Sequence, residues 1–261
     1  MSSVLAGQPA LRSPALGNPC VLAFDTSTEV LAVALAVGQR QYAVQVAGGA
    51  QASAQLLPQV HRLLQQAGCT LDALDAIGFG QGPGAFTGLR TACSVAQGLG
   101  LGLGLPLLPI DSLLIVAEAA RAQRQPGAGL WQIAVAMDAR MNEVYAARYA
   151  WQGSRWQTLQ APGLHSLTDL SEDWAQQRAD AAGGSALPAF GERLLWPTGV
   201  EQRFADEAGR ASALLRLTLQ AYAQGQGVDA ADALPLYLRD KVAQTTAQRQ
   251  AQRALALEAA K

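Results

Sequence analysis

The sequence predicts an α/β protein built as two similar halves. Two observations carry that expectation. Short apolar runs of strand length alternate with longer stretches of helical spacing along most of the 261 residues. In addition, one pattern occurs twice, a whole lobe apart: an apolar strand, an aspartate, a few residues, Glu-Val, and a second strand containing alanines. The first copy holds Asp25 with Glu29 and Val30, the second Asp138 with Glu143 and Val144. Each half therefore opens with a hairpin whose first turn carries an aspartate.

The elements follow in order. Residues 1–19 contain Pro9, Arg12 and Pro14 without a continuous apolar stretch, and read as an extension, not a signal peptide. A first lobe is expected over 20–124. It starts with strands at 21–24, 31–37 and 42–46, joined by short turns into a meander. Leu56, Leu57, Val60, Leu63, Leu64 and Ala67 fall at helical spacing, with Ser53 as the N-cap candidate and Gly68 as the stop. Pro58 sits inside that pattern and marks either its first turn or a kink. A strand at 76–79, a glycine-rich loop, a helix at about 87–104, a strand at 107–110 and a helix from Ser112 to Arg121 complete the lobe. The run at 125–129 reads as a linker to a second lobe over 125–243. There, strands at 133–137 and 143–149 precede helices at 167–178 and 203–223, with a loop at 188–191. The last residues, 244–261, are rich in Ala, Gln and Arg and read as a mobile tail or a lone exposed helix.

Composition narrows the function classes. Half of the residues are hydrophobic and 15% are charged, so the chain can bury a full core. The formal net charge is −1. A broad basic face that holds nucleic acid alone is not expected, because counterion release needs clustered Lys and Arg. Cys20, Cys69 and Cys93 are odd in number and form no CxxC pair, which argues against a disulfide framework and for a reducing, cytoplasmic setting. The longest membrane-like stretch, 98–110, is too short to span a bilayer. His61 and His165 are the only histidines and make neither HxxxH nor HExxH spacing, so no helical metal pair is available. No metal site is expected on this chain.

The loop GFGQGPGAFTGLR at 78–90 invites comparison with a phosphate cradle. It lacks the Lys-Ser/Thr end of a Walker A motif, and no register gives GxGxxG. Its helix repeats small residues every fourth position through Gly84, Gly88, Ala92, Ala96, Gly100 and Gly104. Glycine costs about 1 kcal/mol per helix-interior position relative to alanine, so the ridge implies close packing that offsets the loss. The expectation is shape before chemistry, with Gly88, Ala92, Ala96 and Gly100 facing another helix across a subunit boundary; the alternatives are a ridge packed against the chain's own sheet and a loop that cradles phosphate. Asp25, Thr26 and Ser27 are candidates for a vestigial phosphate turn; the alternative is a turn that satisfies its own backbone.

These stretches together resemble the TsaB (YeaZ) family. The residues that carry the resemblance are VLAFDTSTEVLAVAL at 21–35, the loop and helix through PIDSL at 78–113, MDARMNEVYAARY at 137–149 and PLYLRDKVA at 235–243. The resemblance implies an actin/hexokinase/Hsp70-like (ASKHA, ribonuclease H-like) duplication, each lobe a mixed sheet with helices. It implies a non-catalytic scaffold in forming threonylcarbamoyladenosine (t6A) in tRNAs reading ANN codons. That scaffold pairs with the metal-dependent transferase TsaD and with the P-loop ATPase TsaE. ATP and metal are then expected on those partners, no cofactor on this chain, and tRNA contact only through the complex. It also implies a pairing face on the helices at about 53–67 and 87–104, used for TsaD or for a homodimer; the candidates are Leu56, Leu57, Val60, Leu64, Gly88, Ala92, Ala96 and Gly100. Many relatives carry a His where this chain has Ala52, so no role of that histidine transfers. Two rival readings are an ATP-dependent small-molecule kinase of the same fold and an M22-like glycoprotease. The kinase needs a second phosphate turn, whereas Asp138 is followed by Ala139, Arg140 and Met141; the histidine count opposes the protease.

Overall fold

Twenty-odd apolar strand residues of the first half and their counterparts in the second build two sheets with one design. The computed structural model describes residues 18–124, 129–205 and 208–239. The expected tail at 244–261, the extension before Asn18 and most of the linker at 125–129 lie outside them. The first sheet contains β1 (Cys20–Asp25), β2 (Val30–Val37), β3 (Arg40–Ala47), β4 (Ala76–Gly82) and β5 (Leu107–Asp111) in the order β3-β2-β1-β4-β5. The second contains β6 (Leu130–Asp138), β7 (Glu143–Gln152), β8 (Trp156–Ser166), β9 (Ala181–Gly183) and β10 (Gln202–Phe204) in the order β10-β9-β6-β7-β8. Each sheet is an antiparallel meander extended by two parallel strands. The duplication expected from the two Asp turns is therefore present strand for strand.

Burial follows position in the sheet. β1 is central and buried along its whole length, so it reads as an unbroken apolar run. β3 is an edge, and its alternation of exposed and half-buried residues fits one wet face. One face of the first sheet is covered by α1 (Ala52–Ala67) and α2 (Phe86–Leu103), whose Leu56, Val60, Ala92 and Ala96 join Leu22, Phe24 and Phe79 in one core. The other face takes α3 (Ser112–Arg124) and α6 (Arg210–Ala223). The outer face of the second sheet is closed by α4 (Leu167–Ala175) and α5 (Ala186–Phe190). Its inner face rests on α3 again, through Leu113, Val116, Ala117 and Ala120.

Several boundaries differ from the sequence reading. α1 begins at Ala52 with Gln51 as its N-cap, not at Ser53, and Pro58 lies inside the helix on its exposed side. The segment at 188–191 closes a short helix, and at the expected start of the last helix lies β10 (Gln202–Phe204), with a turn at 208–209 before α6 starts. A three-residue strand shows no periodicity to read. The lobe boundary also shifts. α6 comes after the second sheet in the chain but packs on β1, β2 and β4 of the first, because its apolar side matches the alanine-rich face of Ala23, Ala32 and Ala34. Residues 210–237 thus belong spatially to the first lobe.

The small-residue ridge is spent inside the chain. Gly88, Ala92, Ala96 and Gly100 are all buried. A Cβ on Gly88 would overlap the carbonyl oxygen of Thr26, and one on Gly100 would stand 2.9 Å from Leu107 Cδ2 and 3.1 Å from Ala230 Cβ. The expectation that these four face a partner is corrected: they let α2 settle onto its own sheet. Leu56, Val60 and Leu64 are corrected for the same reason, being buried in the same core, whereas Leu57 is 50% exposed. We therefore expect Ala96→Arg to abolish cooperative unfolding of the monomer, and Gly88→Ala to destabilise it by about 1–3 kcal/mol or more in urea titration.

The lobes meet at their base through α3, which is buried on all sides near its start, as a helix between two sheets must be. Glu118 on α3 accepts from Arg121 at 2.7 Å, from Arg216 on α6 at 2.5 Å and from Trp156 Nε1 on β8 at 3.0 Å. Burial alone would raise its carboxyl, but the two guanidinium groups outweigh that and hold it below the ordinary value. Asp111 at the end of β5 accepts from the Tyr149 hydroxyl of β7 at 2.5 Å and from the N–H of Leu113 at 2.9 Å. Burial pushes Asp111 up to about 6, against the opposing pull of those donors. Its protonated form is thus favoured by folding, a contribution fully present below about pH 4 and lost as pH rises through about 6. Relative to Asp111→Asn, the wild-type chain should lose stability between pH 4 and pH 7, measured as the difference in denaturation midpoints across that range.

Candidate functional site: the cleft between the lobes

The duplicated turns face each other across a cavity of about 730 Å³. Ser27, Thr28 and Glu29 come from the first lobe's β1–β2 turn, and Asp138 to Met141 from the β6–β7 turn. The start of α2, the start of α5 and residues 236–239 complete the walls. Most of the lining is apolar, with Phe86, Leu89, Met137, Tyr145 and Tyr237 among it.

Asp25 and Thr26 of the first turn are closed to ligands. Asp25 is 0% exposed. Its Oδ2 accepts from Arg210 Nε at 3.0 Å and Nη2 at 2.5 Å, and from the Ser27 hydroxyl at 3.0 Å. Its Oδ1 accepts from the Ser27 N–H at 2.7 Å, and the Thr26 hydroxyl donates to the Gly88 carbonyl at 2.6 Å. Arg210, at 1% exposure, arrives from the start of α6 and supplies the positive charge that a buried carboxylate requires. The glycines of the 78–90 loop close the remaining approach. A Cβ on Gly80 would overlap the Asp25 carboxyl, one on Gly84 would stand 2.5 Å from the Ser27 carbonyl oxygen, and Gly88 abuts Thr26. Glycines 80, 84 and 88 thus admit one residue each of the Asp-Thr-Ser turn. The reading of Asp25, Thr26 and Ser27 as a phosphate turn is corrected: Asp25 and Thr26 are satisfied by the chain itself, and of the three only Ser27 reaches the cavity wall.

The second turn is built differently. Arg140, Met141 and Asn142 have φ values of 64°, 57° and 57°, three left-handed residues in a row without a glycine. Such a conformation costs about 1–2 kcal/mol per residue and persists where neighbours over-determine it. Here the Arg140 N–H donates to Asp138 Oδ1 at 2.7 Å, the Glu143 N–H to the Arg140 carbonyl at 3.1 Å, and Arg193 to Asn142 Oδ1 at 3.1 Å. Asp138 is thereby engaged by its own turn. Among the described residues, no three His, Cys, Asp or Glu side chains converge as a metal-binding group. His61 is exposed on α1 and His165 lies on β8.

Comparison with known proteins places this geometry. The family model described as TsaD: tRNA N6-adenosine threonylcarbamoyltransferase matches residues 47–189. A tRNA threonylcarbamoyladenosine biosynthesis protein TsaB of Escherichia coli is 31% identical over 232 residues, covering 85% of this chain and 96% of that protein. The chain belongs to the TsaB family. A TsaB of Haemophilus influenzae is 32% identical over 238 residues, covering 86% of this chain and 95% of the relative. A solved structure of YeaZ from Pseudomonas aeruginosa superposes with a TM-score of 0.75 at 35% identity, covering 84% of this chain and all of the other. The fold is thus the two-lobed duplication that the resemblance implied.

Sequence reasoning missed Arg210, Arg140 and Arg239. Arg210 carries one signal: a lone cation at the head of an apolar helix, in a chain with a buried Asp turn that needs one. Removing one partner of the buried pair leaves the other charge unpaired, which typically costs about 3–5 kcal/mol. Arg210→Met should show a loss of that size in urea titration. The double variant Asp25→Leu, Arg210→Met should recover much of it, because no buried charge remains.

Proposed function

We propose that this chain is a non-catalytic scaffold in the synthesis of threonylcarbamoyladenosine in tRNA, acting by pairing with a TsaD-type transferase. The observation that carries the reading is a shared fold whose turn chemistry is internally consumed. The family model is described as the transferase itself, yet Asp25 is locked by Arg210 and Asp138 by its left-handed turn. TsaE is the proposed third member, ATP and metal belong to the partners, and tRNA is met only within the assembly. The setting is the cytoplasm; among the described residues no helix is long and apolar enough to cross a membrane.

The pairing face follows from what the core leaves over. On α2 the buried ridge has an exposed counterpart, Ser94, Gly98 and Gly102, also four apart, and a Cβ on Gly98 or Gly102 would meet nothing within 4 Å. Leu101 beside them is 66% exposed, and Leu57 on α1 is 50% exposed. Small residues permit close helix approach along four-residue rows, and the leucines supply apolar area. A homodimer through the same face is the state proposed for the chain without its partner.

Reconstitution tests the reading. Product should require this chain together with TsaD, TsaE and the adenylate-forming enzyme. Full product without it, or product from it alone with the adenylate, would overturn the proposal. Gly98→Arg should abolish co-elution with TsaD while leaving the melting curve within about 2 °C of wild type, since the added side chain meets only solvent in the free chain.

A further inference from the structure

The lobes are joined at the base by α3 and at the mouth by a different device. After α6 the chain runs back along the first lobe. Val228 bridges to Leu107, the Ala233 carbonyl accepts from Gln97 at 2.9 Å, and the Leu236 N–H donates to the Gln81 carbonyl at 2.7 Å. Tyr237 lies with its ring 5.2 Å from that of Phe86, and its hydroxyl accepts from Arg90 Nε at 3.1 Å. The next two residues cross over. Leu238 packs against the core of the second lobe. Arg239 pairs with Glu143 at 2.6 Å, donates to the Ala139 carbonyl at 2.9 Å and approaches Met141 Sδ at 3.4 Å.

We propose that residues 228–239 form a clasp that gates the cleft, with Arg239 as its catch on the left-handed turn of the second lobe. Residues 236–239 are one wall of the 730 Å³ cavity, so releasing the catch frees a wall instead of a surface loop. The catch is strong enough to hold and weak enough to open. Arg239 is 17% and Glu143 33% exposed, and a charge-assisted bond at this depth outranks a surface pair. A second bridge at the mouth, Arg140 to Glu29 at 3.3 Å, has side chains 74% and 78% exposed and contributes little. The strained 140–142 turn acquires a role in this arrangement: it presents the Ala139 carbonyl and Met141 to Arg239 and keeps the Glu143 carboxylate beside them. The two glutamates of the duplicated motif, Glu29 and Glu143, each hold an arginine at the mouth. The clasp does not depend on pairing with a transferase.

Access to the cleft floor tests it. Ser185 lines the cavity, and its hydroxyl accepts from the Asp138 N–H at 3.1 Å. In the full chain carrying Ser185→Cys, alkylation of that site by iodoacetamide is followed by peptide mass spectrometry, normalised to exposed Ser154→Cys in the turn between β7 and β8. Glu143→Gln, which keeps the bulk of Arg239, should accelerate labelling at position 185 about tenfold. Potassium chloride at 0.5 M should accelerate labelling with Glu143 present and have no further effect with Glu143→Gln. Arg239→Ala is read in parallel, and cooperative melting of each variant shows that the rates report on folded protein. Labelling within twofold of the parent in Glu143→Gln, or equal salt acceleration in both, overturns the clasp.

Discussion

The structure depends on a single close approach: the glycine loop and the start of α2 resting on the Asp25-Thr26-Ser27 turn. Three glycines spaced by four each stand where a Cβ would meet one residue of the turn. That contact brings α2 down onto β1 and β4 and excludes water from the Asp25 carboxylate. Once dry, the carboxylate needs a cation, and Arg210 supplies it from a helix that follows the second lobe in sequence. The return of α6 to the first sheet is therefore tied to the same contact. So is the course of residues 228–239, which follow shortly after α6 ends at Ala223.

The duplication explains why the two halves look alike and the two turns do not. Both sheets repeat the meander with two parallel strands, and both first hairpins turn at an aspartate. The first aspartate is neutralised by an arginine from far along the chain; the second is held within two residues by the Arg140 N–H. One turn is buried and satisfied, the other exposed and strained. The cleft between them keeps its shape because the sheets and α3 define it, whatever the turns have become. A shared fold does not carry a shared site: the first turn is committed to packing and the second to hydrogen bonds of its own.

Much of this was legible in the sequence. The strands of the first lobe read directly, because a sandwiched sheet makes unbroken apolar runs such as β1 and β2. The Asp-to-Glu-Val repeat disclosed the duplication. What escaped was non-local. β9 and β10 have three residues each, too few for a period, and take their places from their neighbours in the sheet, β9 from β6 and β10 from β9. The packing of α6 on the first sheet depends on complementarity with Ala23, Ala32 and Ala34, which spacing within α6 cannot reveal. Arg210 and Arg239 act over separations of 185 residues and nearly 100 residues, from Asp25 and Met141 respectively.

The ridge on α2 shows how one correct inference can point the wrong way. Small residues every fourth position do mean close approach, and the approach is there. Periodicity does not say whether the neighbour is the chain's own sheet or another molecule, since both are reached through a face of the same width. The composition of the opposite face resolves this. A helix that packed its ridge on a partner would need a second, larger apolar face for its own core, but on α2 the buried set consists mostly of glycine, alanine and cysteine. The side left over carries Ser94, Gly98, Leu101 and Gly102, residues that a purely solvated face has little reason to prefer. Glycine in an exposed helix position costs stability and gains nothing from the chain's own core. That unrecovered cost, on the face with open space around it, is what supports the pairing face proposed above.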